Sequence, residues 1–150
     1  MALQRGVALA LALALVLVAP VSAASPAPAV KITKLVIEPS GPDFNITVSY
    51  STSFLTKVFS LLFGSRIIEP AITDQLSGFD NLALVSVDPS GQTAKLVAKD
   101  QAQLSNGWYV YGGGAKFPAR IDQVEVRGKA MDKPLVITGC SELPTFFYRP

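Results

Sequence analysis

The sequence predicts an all-β fold, an antiparallel β-sandwich of about seven strands. Three observations point to it. Short runs rich in Val, Ile, Leu and aromatic residues recur along the chain. Turn clusters such as Pro39-Ser40-Gly41-Pro42 and Pro89-Ser90-Gly91 separate them. At least one run alternates strictly between apolar and polar residues, the period of a strand with one buried and one wet face. The one departure is a helical insertion, Phe54 to Ser77, between strands two and three. An α+β fold with helices on one antiparallel sheet is the alternative arrangement.

The chain opens with what reads as an export signal over residues 1–23. Arg5 gives a positive start, Gly6 to Ala19 is an uninterrupted apolar run, and Pro20 ends it. Val21-Ser22-Ala23 then supplies small residues suited to a signal peptidase. The run is shorter than the roughly 20 residues needed to cross a bilayer core, so cleavage is expected rather than anchoring. No cysteine follows it to carry a lipid. Residues 24–29, with Pro26 and Pro28, form an extended leader, and residues 30–150 a single β-rich domain.

Val30 to Glu38 is the first strand. Phe44 to Ser51 is the second and the clearest: Phe44, Ile46, Val48 and Tyr50 alternate with Asn45, Thr47, Ser49 and Ser51. The two are expected to pair antiparallel. Asn45-Ile46-Thr47 is also a glycosylation sequon, with Asn45 on the wet face.

From Phe54 the period becomes helical. Phe54, Leu55, Val58, Phe59, Leu61, Leu62 and Phe63 cover an arc of about 200° on a helical wheel. Thr56, Lys57 and Ser60 hold the rest, and Gly64 sits where a helix stops. The plain expectation is that this arc packs on the sheet. The other reading makes Phe54, Phe59 and Phe63 a membrane or partner contact. A second short helix is expected from Pro70 to Ser77, with Ile72 and Leu76 on one face.

Strands resume at Asn81 to Asp88 and Thr93 to Lys99, a hairpin with its loop at Pro89 to Gln92. Trp108 to Tyr111 is an aromatic strand, placing Trp108 and Val110 on one face and Tyr109 and Tyr111 on the other. Ile121 to Arg127 alternates again, with Val124 and Val126 opposed to Gln123, Glu125 and Arg127. Leu135 to Thr138 closes the series. The tail carries Phe146, Phe147 and Tyr148.

Composition narrows the chemistry. Arg5 is the only cation in residues 1–23, so 12 of the 13 basic residues remain beyond it, against 11 acids. They form no basic stripe, so nucleic acid is not an expected partner. The chain has no histidine, which removes the commonest general base and zinc ligand. Its single cysteine, Cys140, excludes an internal disulfide and reads as a small buried side chain. Gly112-Gly113-Gly114 lacks the Gly-Lys-Ser/Thr of a phosphate loop and reads as a connection. Asp80, Asp88, Asp100, Asp122 and Asp132 mostly flank turns, where acids cap backbone amides.

No catalytic residue, cofactor or metal is therefore expected. The chain reads as a small exported, non-catalytic binding or structural component of the cell envelope or extracellular space. Its partner would be an envelope polymer or a protein. Trp108, Tyr109 and Tyr111 are the ligand-binding candidates. The alternative is a peripheral membrane-associated protein using Phe54–Phe63. A carboxylate-based hydrolase is the least favoured.

Overall fold

The computed structural model describes residues 29–150. The export signal and nearly all of the leader lie outside the described residues. The strands are β1 (Val30–Ser40), β2 (Asp43–Thr52), β3 (Leu82–Asp88), β4 (Thr93–Ala98), β5 (Gln103–Ser105), β6 (Trp108–Tyr111), β7 (Lys116–Val126), β8 (Leu135–Glu142) and β9 (Phe146–Tyr148). Between β2 and β3 lie α1 (Phe54–Phe63), a 3₁₀ turn (Ser65–Ile67) and α2 (Glu69–Gln75). The domain is β-rich. It has a six-stranded sheet in the order β3-β4-β2-β1-β7-β8 and a three-stranded sheet in the order β5-β6-β9.

The expected hairpins form. β1 and β2 pair antiparallel from Val30↔Thr52 to Ser40↔Asp43, and β3 pairs with β4 up to Asp88↔Thr93. Alternation in β2 has its physical cause on the inner face, where Phe44, Ile46, Val48 and Tyr50 are all buried. In β1 the buried residues Ile32 and Leu35 are three apart, because the register shifts between Ile32 and Lys34. That bulge restores the phase so that Ile37 also points inward.

Two expectations are corrected. The large sheet is mixed, not wholly antiparallel: β7 joins β1 in parallel, from Lys34↔Gln123 to Ile37↔Val126. The chain leaves this sheet after β4, builds the β5–β6 hairpin elsewhere, and returns on the far side of β1 running the same way. Residue alternation says nothing about that pairing, which is set by the path of the chain. The second correction is the strand count. β5 and β9 have three residues each, too few to display a period.

The sheet's inner face is covered in two halves. The insertion crosses it from the Val30 end, where Gln75 Nε2 donates to the Val30 carbonyl oxygen at 2.6 Å. Ile68, Ile72 and Leu76 are buried there, as the four-residue spacing of the last two requires. At Gly78 the chain passes so close to β7 that a Cβ would collide with the Lys116 carbonyl oxygen. Phe79 then meets Phe44 edge-on, with ring centroids 6.5 Å apart.

The small sheet covers the other half, beside the β1–β2 turn. Tyr111, Phe146 and Tyr148 pack on Phe44 with centroids 5.3, 5.7 and 6.3 Å away. Tyr148 donates its hydroxyl to the Gly41 carbonyl oxygen at 2.6 Å. Since β1 is 11 residues long, α1 leaves from one end of the sheet and the aromatic strands cover the other.

Candidate functional site

Helix α1 starts because Ser53 caps it. The Thr56 amide donates to Ser53 Oγ at 3.2 Å, and the Lys57 amide to the Ser53 carbonyl oxygen at 2.9 Å. It stops at Gly64, whose φ of 88° is unfavourable for any residue with a side chain. The helix expected from the wheel is present with the expected bounds, but its orientation reverses the plain expectation.

The apolar arc faces solvent except at Val58, which is half-buried. Phe54 is 78% exposed, Leu62 71% and Phe59 50%, and Leu55, Leu61 and Phe63 are also exposed. The one buried residue of the helix is Ser60, at 3%. Thr56 and Lys57, on the same side, are half-buried. Ser60 is satisfied in its buried position by donating to the Lys57 carbonyl oxygen at 2.9 Å. Thus the polar side turns inward and the greasy side outward. Phe59 and Phe63 stack on each other at 5.9 Å rather than on the sheet.

Fully burying one large apolar side chain is worth roughly 1.5–3 kcal/mol, so six partly exposed ones leave on the order of 5–10 kcal/mol unrealised in water. The six exposed side chains form a contiguous arc, unlike the singly scattered apolar residues that are ordinary on a protein surface. Sequence reasoning had named Phe54, Phe59 and Phe63. The structure adds Leu55, Leu61 and Leu62, which the same wheel contained.

The aromatic candidates separate. Tyr111 is buried, and its hydroxyl oxygen accepts from the Ala115 amide at 3.1 Å. Tyr109 is half-buried and stacks on Tyr148 at 5.5 Å, its cross-strand partner. Burial pushes the Tyr148 hydroxyl up to about 12, with Tyr109 and Asp43 adding to it. These tyrosines therefore line the core face of the small sheet.

Trp108 is on the outside, as alternation requires. It meets Phe147 edge-on at 5.9 Å, and the Arg149 guanidinium sits 4.5 Å above its ring. Phe147 is exposed and shares this outer surface, which sequence reasoning had placed only in an aromatic tail.

The glycine loop is tied to the tail. Gly114 donates its amide to the Leu143 carbonyl oxygen at 3.1 Å, and Thr145 Oγ1 donates to the Gly112 carbonyl oxygen at 2.9 Å. A strand follows it, not a helix. Cys140 is buried in β8 with its thiol 3.2 Å from the Glu142 carbonyl oxygen, and burial raises its pKa. Asn45 is exposed on β2 beside Glu38 of β1.

One buried charge occupies the sheet's outer face. Glu125 accepts from Arg127 Nε at 2.6 Å and pairs with Lys34 Nζ at 2.9 Å. Those hydrogen bonds, Arg127 first and Lys34 second, hold its carboxyl down at about 2. Both oxygens are occupied by cations, so the group is a structural clamp across β1 and β7 and not a free acid. Among the described residues, no group of three or more His, Cys, Asp and Glu could hold a metal ion, and no helix is long and apolar enough to cross a membrane.

No family model, curated protein or solved structure matches the chain.

Proposed function

We propose that this chain is an exported, non-catalytic β-rich module of the cell envelope or its surroundings, and that α1 is its docking element. Export is supported by the Arg5–Ala23 sequence, with its positive start, apolar run and small residues at the end. Docking is carried by one observation: α1 turns Ser60 inward and six large apolar side chains outward. A helix that packed for stability alone would do the reverse. The domain serves as the rigid mount. On this reading it is a two-layer sandwich, with the second layer shared between the small sheet and the α2 segment.

Fractionation of the expressing cells tests the docking role. The wild-type protein should pellet with the envelope, and Phe59→Asp should appear in the soluble fraction as folded protein. Recovery of Phe59→Asp only as unfolded or degraded chain would place Phe59 in the core and remove α1 as a docking element.

The outer surface of the small sheet is a second recognition candidate, favoured by Trp108 and Phe147 meeting on its exposed side under Arg149. Any ligand there meets Trp108 and Phe147, not Tyr109 and Tyr111. Trp108→Ala should leave the melting temperature nearly unchanged while abolishing such binding.

A further inference from the structure

We infer that the partner of α1 is the interface of an anionic lipid bilayer. This rests on α1 being the docking element, and three observations favour lipid over other occupants.

The first is shape. α1 offers the exposed outer side of a ten-residue helix, not a groove. A helix of that length is about 15 Å long and about 10 Å wide, so its outer half offers only a few hundred Å². A stable protein interface buries about 800 Å² on each partner with shape complementarity. A second copy of this chain meeting α1 through α1 alone falls well short. A bilayer interface needs no complementary shape and takes apolar side chains to a depth of about 5–10 Å.

The second is charge. No acid occurs between Asp43 and Glu69, and of the two cations in that stretch Lys57 is half-buried on the polar side of α1 while Arg66 lies exposed just beyond the C-terminal end of the arc. Arg66 is exposed in the 3₁₀ turn. Glu69, the first acid after the helix, accepts a hydrogen bond from Ser65 Oγ at 2.6 Å. Bare carboxylates would oppose an anionic surface, and this segment carries none before that point.

The third is where the chain comes from. Val30 pairs with Thr52, the last residue of β2 and two before the helix begins. The preceding sequence therefore joins the domain at the end that bears α1. The apolar run Gly6–Ala19 ends ten residues before Ala29 is passed, a reach of at most about 35 Å. Until the run is cleaved, a membrane that receives it lies within reach of the exposed arc.

The test places a reporter on α1. The chain has a single tryptophan, Trp108, at the opposite end of the sheet. Leu62→Trp in a Trp108→Phe background moves the reporter to the arc, and Phe63→Trp in the same background serves if the first variant folds poorly. The full chain is mixed with vesicles of equal phosphatidylglycerol and brominated phosphatidylcholine. The expected result is a blue shift and strong bromine quenching at residue 62, with Trp108 of the wild type unquenched. Arg66→Gln should weaken binding about fivefold.

Vesicles that bind while residue 62 stays unquenched would mean that the N-terminal run alone holds the membrane, and would overturn the inference. A solvent-like reporter that becomes blue-shifted with protein concentration, but not with vesicles, would assign the arc to a second copy. That result overturns lipid and leaves the docking role of α1 intact. A reporter already blue-shifted at every concentration without vesicles would show the arc covered by its own chain, and both readings would fall.

Discussion

Glu125 shows how single residues divide between structure and surface. Its carboxyl is held at about 2 by Arg127 and Lys34, well below the ordinary 4.5. A carboxyl depressed in the folded state stabilises the fold above its unfolded value, and that contribution is lost as pH falls through the interval from about 4.5 to about 2. Melting temperature measured across this window should fall, and Glu125→Gln should flatten the fall. Because both cations are partly exposed, salt should shrink the effect. Tyr148 gives the opposite limb. Its pKa is raised from 10.0 to about 12, so its share of stability is complete below about pH 10 and lost as pH rises toward about 12. Tyr148→Phe should remove that alkaline loss. Tyr111→Ala, which empties a buried aromatic site, should cost about 3–5 kcal/mol in denaturant unfolding. Trp108→Ala should change unfolding little. The sequence made the facing of these aromatic residues legible as two alternating pairs. Which pair met the core was settled only by Phe44, Phe146 and Tyr148 converging on one side.

The two helices of the insertion are built on similar apolar spacing and have opposite fates. Ile72 and Leu76 of the second helical segment are buried, and Gln75 fastens it to β1. Ile72→Asp should therefore unfold the domain, since an unpaired buried charge is costly. α1 has a cap but contributes no residue to the buried apolar core, and a ten-residue helix is marginal in water on its own. Its amides should exchange hydrogen faster than those of β2, and should become protected on anionic vesicles. The wheel of α1 was fully legible in the sequence, including the polar strip of Thr56, Lys57 and Ser60. A wheel gives the width of an apolar arc and not the direction in which it points. That direction is decided by how the chain leaves Thr52 and returns through Gly64 and Ile68.

Across the whole molecule, the strands with long local patterns were legible and the pairings between distant ones were not. β2 announces itself because one of its faces is buried along its whole length. The parallel pairing of β1 with β7 depends on a path through the second sheet, and β5 and β9 are too short to carry a period. The result is a β-rich domain with an apolar helix at one end and the Trp108 surface at the other. The central claim is that the arc of α1 is open to solvent in the folded protein. Cys140 supplies an internal reference, being the only native thiol and buried. In native Leu62→Cys protein, a polar maleimide should modify residue 62 as fast as an unfolded peptide thiol, while Cys140 reacts only after denaturation. Protection of residue 62 to the same degree as Cys140 would contradict the account.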